Sequence, residues 1–343
     1  MVAELPASGL EPAAAAATVV LRDGVASEPF DGVANLRFSK DGRHLAFAAR
    51  RDGQWSFFLD GSARCGGWEA IAETALSDEA SRYAIIARRA RRWHLCSSDV
   101  VGPAWDSAAG LVISGDGAHV AAVVREGGRH RAVRDGVAGQ PWDGVEWRSL
   151  RMNHAGSVGF IAQRGPQRHA VVDERVGPAF DEVSPVAFGE AGHFGYIGRG
   201  SAGSTVVIDG APASTWDRAT DLCFAPDGRR FAFLASRGGA GLAVVAGTPW
   251  AFPSLLEGSL VWSRDGDHFA VVAGDPGQRR LSVHVDGQRF VELDLGELAG
   301  SWMRRRLETA WPEQPTPLAA FVAAQLERAL APRPSPAGDA GAR

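Results

Sequence analysis

A chain of 343 residues with 45% apolar and 22% charged side chains has the balance of a folded globular protein, which excludes disorder for its body. Its net charge is only −4 and every basic residue except Lys40 is arginine, so it lacks the bulk cationic surface that grips nucleic acid. Three dispersed cysteines, Cys65, Cys96 and Cys223, give neither a disulfide framework nor a thiolate metal cluster, and no run reaches the roughly 18 apolar residues that span a bilayer; a cytoplasmic protein without direct membrane insertion is expected.

Residues 1–17 contain Glu4, Glu11 and two prolines with no basic stretch before an apolar core. They do not read as a secretory signal and are expected to form a flexible lead-in. From 18 to 297 a unit of about 37 residues returns with short β-favouring runs separated by turn residues, the rhythm of four-stranded antiparallel blades. In the first complete unit, strand A is Val33 to Ser39, B is His44 to Ala49, C is Trp55 to Leu59, and D runs from the Asp60-Gly61 turn to Trp68. The A-to-B turn recurs at Ser39, Ser77, Ser114, Asn153, Gly189, Ala225 and Ser263. An all-β propeller of seven blades follows, with eight as the alternative. A surplus C and D pair, from Val19 to Phe30, needs a partner: the last blade, whose D strand ends near Phe290, or a degenerate pair between Leu298 and Trp311. Within the extension 298–330, Thr316-Pro317 marks a helix start, and Leu318, Phe321, Val322, Gln325 and Leu326 give a helix over 317–330 one mostly apolar face. The Pro-, Ala- and Gly-rich residues 331–343 are expected to be disordered.

Alternation of strand direction puts the B-to-C hairpins and D-to-A crossings on one rim. The D strands end in Phe30, Trp68, Trp105, Trp142, Phe180 and Trp216, each followed by an acid: Asp31, Glu69, Asp106, Asp143, Asp181 and Asp217. The B strands are followed by Arg50, Arg88, Arg125, Arg164, Arg199 and Arg237, with Arg51, Arg89, Arg91 and Arg92 adding to the first two hairpins. Two readings stand side by side. In one, the arginines bridge the acids or stack on the aromatics and lock blade to blade. In the other, these arginines with Trp68, Trp105, Trp142 and Trp216 form a recognition face for an acidic partner. Core packing is the simpler role for most of the eleven tryptophans, including Trp147 and Trp262 inside A strands.

No catalytic constellation emerges. His44, His119, His193 and His268 all open B strands, and His94, His130, His169 and His284 all fall in C strands, so repetition marks them as scaffold. His154 sits in a turn. Gly198-Arg199-Gly200-Ser201-Ala202-Gly203 satisfies a dinucleotide pattern but lies between two β runs, which makes it a hairpin. No cofactor or metal site is expected.

The Phe-Ser-x-Asp-Gly-Arg-His-Leu-Ala-Phe run (with x at Lys40), the Asp-Gly turns and the Pro-Trp-Asp sequence at 141–143 resemble WD40-like, TolB-type propeller repeats over about Val19 to Leu293. Residues 135–143 and Gly247-Thr248-Pro249-Trp250 also resemble the repeat signature of the tryptophan-rich D subunit of Tmc-type redox complexes. That resemblance implies a cytoplasmic accessory subunit without a cofactor of its own, whose partners carry the redox centres. The reading is a non-catalytic propeller scaffold for protein–protein interaction. A propeller lyase, lactonase or hydrolase, or a small-molecule or sugar binder, are the rivals.

Overall fold

The computed structural model describes residues 2–4, 17–98, 100–189, 192–275, 280–294 and 317–330. The fold is an all-β propeller type: antiparallel four-stranded blades, with a single α-helix among the described residues. The chain divides into two compact units, Met1–Val186 and Ala187–Arg343.

The first unit opens with a three-stranded sheet of Val2–Glu4, Thr18–Arg22 and Val25–Ala26. Four blades follow, whose B strands are Leu45–Arg51, Tyr83–Arg89, Val120–Glu126 and Val158–Arg164. In the second unit the fifth to seventh blades have B strands Phe194–Gly200, Phe231–Arg237 and Phe269–Asp275, and the helix α1 spans Pro317–Leu330. The surplus N-terminal pair takes Val2–Glu4 as its partner, Val2 opposite Val20. It does not complete the last blade, which has its own C and D strands, Arg280–Val285 and Gln288–Asp294. Residues 298–311 and 331–343 lie outside the described residues, as does 5–16 of the expected flexible lead-in.

Strand B is apolar over its first five residues because it is central in each sheet and sandwiched between neighbours. Its period of two sends alternate residues to opposite faces. Tyr83, Ile85 and Ala87 join Ala46, Ala48, Phe57 and Trp68 of the first blade, while Ala84 and Ile86 join Val120, Ala122 and Val124 of the third. The rule repeats between the third and fourth blades, and between the fifth, sixth and seventh. At the seventh blade α1 supplies the cover: Val322 and Leu326, 0% and 1% exposed, pack on Ala270, Val272 and Val283. Burying side chains of this size contributes about 1.5–3 kcal/mol each.

Strand D is the sheet edge, and its Pro103, Pro212 and Pro249 remove amide donors from that edge, which discourages pairing with another chain. The C-to-D turns use adjacent left-handed residues, as at Asp60 (φ 49°) and Gly61 (φ 77°), the hairpin geometry that matches strand twist.

Candidate interaction surface

Four of the histidines anchor turns of their own blades. Four C-to-D turn aspartates use both carboxylate oxygens. Asp60 Oδ1 accepts the Leu45 amide at 3.0 Å and Oδ2 meets His44 Nδ1 at 2.7 Å. Asp135 with Val120 and His119, Asp209 with Phe194 and His193, and Asp286 with Phe269 and His268 repeat this clamp. A serine, a histidine and aspartates therefore meet at the A-to-B turn without forming a nucleophilic triad. Ser39 Oγ donates to Asp41 at 2.5 Å and accepts the His44 backbone amide at 3.0 Å, so no imidazole stands ready to take its proton. Burial works against ionisation of Asp60, but the His44, Leu45 and Arg22 hydrogen bonds prevail and bring it to about 2. The Asp286 carboxylate raises His268 above its ordinary value. The glycine-rich run at 198–203 is a hairpin joining Phe194–Gly200 to Gly203–Ile208. No group of three or more His, Cys, Asp or Glu side chains with metal-holding geometry occurs among the described residues.

At the B-to-C hairpins, most of the predicted arginines are held, and four of them reach across to the preceding blade or sheet. Arg51, Arg89, Arg164 and Arg237 close their B strands and lie over the rings of Phe30, Trp68, Trp142 and Trp216 at 5.1, 4.1, 4.6 and 4.0 Å. Arg88 pairs with Glu69 at 3.3 Å and faces Trp93, and Arg92 pairs with Asp106 at 2.7 Å. The acids are committed too. Asp106, Asp143 and Asp217 accept the hairpin amides of Gly127, Gly165 and Gly238 at 3.0, 2.8 and 2.7 Å, and Asp143 also binds Arg129. Asp31 faces the Gly53 amide at 3.5 Å, and Asp181 is exposed.

What remains is a short series of exposed cations. Arg50, Arg91 and Arg125 lie at the same end of the first three blades, each exposed, with no ion pair or side-chain hydrogen bond among the described residues. Asp52 is an exposed acid on the first of these hairpins. Arg199 is exposed in the second unit and engages a neighbour. The tryptophans fare differently: Trp68, Trp105 and Trp142 are 1%, 7% and 1% exposed inside inter-blade clusters and offer no surface to a partner, and Trp216 is half-buried over Phe233.

The sequence reading placed Trp147 in the core, yet its side chain is 43% exposed beside Arg148, whose guanidinium lies 4.8 Å from the indole. A β-bulge explains this. In the first, third and sixth blades strand A carries one extra residue opposite B, whereas the fourth runs from Glu146, opposite Ile161, to Arg151, opposite Gly159. Buried Ser149 fixes the longer loop by donating to the Glu146 carbonyl and accepting the Ile161 amide. The spacing from Asp143 to Asn153, two residues longer than from Asp106 to Ser114, was the available signal.

No family profile and no curated protein matches the chain. Among solved structures it is similar to the dihydro-heme d1 dehydrogenase NirN in complex with DHE, at 11% identity over 76% of this chain and 66% of that one (TM-score 0.39). It is also similar to Kluyveromyces lactis Hsv2, at 12% identity over 77% and 99% (TM-score 0.36), and to TolB from Acinetobacter baumannii, at 12% over 74% and 77% (TM-score 0.34). The chain thus spans 66% of the length of NirN.

Proposed function

We propose that this chain is a non-catalytic propeller scaffold that docks an acidic protein partner through the B-to-C hairpins of its first three blades. The observation that carries the reading is the set Arg50, Arg91 and Arg125, exposed and unpaired among the described residues, while Asp106 on the same rim is taken up by Arg92 and the Gly127 amide. An unpaired guanidinium is free to take a carboxylate bidentately, and a set of them on a rigid sheet end raises the encounter rate with an acidic surface. The His–Asp clamps support the same reading, because they spend on backbone anchoring the side chains that acid–base chemistry would need. The accessory role in a redox assembly, implied by the Pro-Trp repeats, is one setting for such a scaffold and rests on those residues alone.

Affinity capture from the native host with wild-type chain and with the triple variant Arg50→Glu, Arg91→Glu, Arg125→Glu tests the proposal. The wild type is expected to retain a specific acidic protein that moderate salt releases, and the variant to lose it at unchanged Tm. Equal capture by both proteins refutes the assigned surface.

A further inference from the structure

Cys65 and Cys96 are far apart in sequence and adjacent in space. Cys65 lies in Ser62–Trp68, the D strand of the first blade, and Cys96 in Arg92–Ser97, the C strand of the second. Both are buried in the same cluster between these blades, at 8% and 0% exposure. Trp68 Nε1 donates to Cys65 Sγ at 3.3 Å and so fixes where that sulfur points. The strand pairing around both sulfurs is irregular. The pairing of strands C and D shifts register on either side of Phe57, which faces Cys65, and again between His94 and Cys96. Gly66 and Gly67 follow Cys65, the latter at φ 78°. Disulfide geometry needs Cβ atoms brought to about 3.5–4.5 Å, and irregular strands with neighbouring glycines allow such an approach better than a regular ladder.

We propose that Cys65 and Cys96 are a latent covalent cross-link between the first and second blades, closed to a disulfide by an oxidant of the hydrogen peroxide class. One thiolate attacks a peroxide oxygen and becomes a sulfenic acid, with one water released once the leaving hydroxide is protonated; the neighbouring thiol then displaces a second water from that sulfur. Two S–H bonds are lost, one S–S bond forms, and the two electrons reduce peroxide to two waters. Next to Cys65, Arg89 covers the Trp68 ring at 4.1 Å and bonds the carbonyls of Gly66 and Gly67. The Cys65 thiol, with burial, holds Cys96 far above the usual thiol range, so closure is slow at neutral pH and quickens as pH rises.

The test treats the full chain with hydrogen peroxide, alkylates it in denaturant, digests it without reductant and maps peptides by mass spectrometry. The expected product is one cross-linked peptide pair containing Cys65 and Cys96, lighter by two hydrogen atoms than the reduced pair and separated by dithiothreitol. The oxidised chain is expected to melt higher than the reduced one, because the link restricts the unfolded chain. Recovery of Cys65 and Cys96 as separate alkylated or sulfinic peptides, at doses that oxidise Cys223 or the methionines, overturns the proposal. The readout needs no variant; Cys96→Ser is a control that must lack the cross-linked pair.

Discussion

The Arg89 guanidinium lies 4.1 Å from the centroid of the Trp68 ring and bonds two backbone carbonyls, whereas Arg91, on the same hairpin, is exposed and unpaired. Neighbouring arginines thus serve different ends. Arg89→Ala is expected to cost about 1 kcal/mol or more in thermal or denaturant unfolding, through loss of the cation–π contact and the carbonyl bonds. Arg91→Ala is expected to stay within roughly 0.5 kcal/mol of wild type. Charge reversal intended to probe binding therefore belongs at Arg91 and not at Arg88, Arg89 or Arg92.

The His–Asp clamps predict a stability profile with two limbs. Asp60 is held at about 2, below its ordinary 3.8, so its contribution is present above pH 3.8 and disappears as pH falls towards 2. His268 is raised above 6.5, so its contribution is complete below 6.5 and lost as pH climbs through the folded value. Melting temperature against pH should show the acid limb reduced in Asp60→Asn and the limb above neutrality reduced in His268→Gln. An unchanged alkaline limb in His268→Gln contradicts the assignment.

Gly110 sits at φ 72°, and a Cβ there would come within 2.6 Å of the Trp147 carbonyl oxygen. Gly110→Ala is expected to destabilise by roughly 1–3 kcal/mol, through left-handed strain and overpacking against the long bulge. Equilibrium denaturation measures it. Iodide should quench part of the fluorescence through exposed Trp147 beside Arg148, a component that Trp147→Phe removes.

On α1, Leu326 is 1% exposed and Leu330 39%. Leu326→Ala should cost roughly 2–5 kcal/mol for the seventh blade and its helix, and Leu330→Ala close to nothing. Equal effects of the two would mean that the helix does not cover that blade.

The blades were legible because their signals are local. The Asp-Gly turns, the apolar B runs and Thr316-Pro317 each depend on a few adjacent residues, and the strands and α1 lie where those signals put them. The surface was less legible, since a position one residue along a strand changes its face. Arg164 and Arg237 close their B strands and stack on aromatics, while Arg50, Arg88 and Arg125 stand one place earlier. The reading from sequence put all five in one ring. Val2–Glu4 was missed because so short a strand is specified by its pairing with Thr18–Val20, and Cys65–Cys96 because blade packing alone brings the two thiols together.

Hydrogen exchange on the captured complex tests the interaction surface most directly. Added protection at the amides of the three hairpins around Arg50, Arg91 and Arg125, with the A-to-B turns at Ser39, Ser77 and Ser114 unchanged, is the predicted footprint. Protection confined to those A-to-B turns, with the hairpins exchanging as in the free chain, would contradict it.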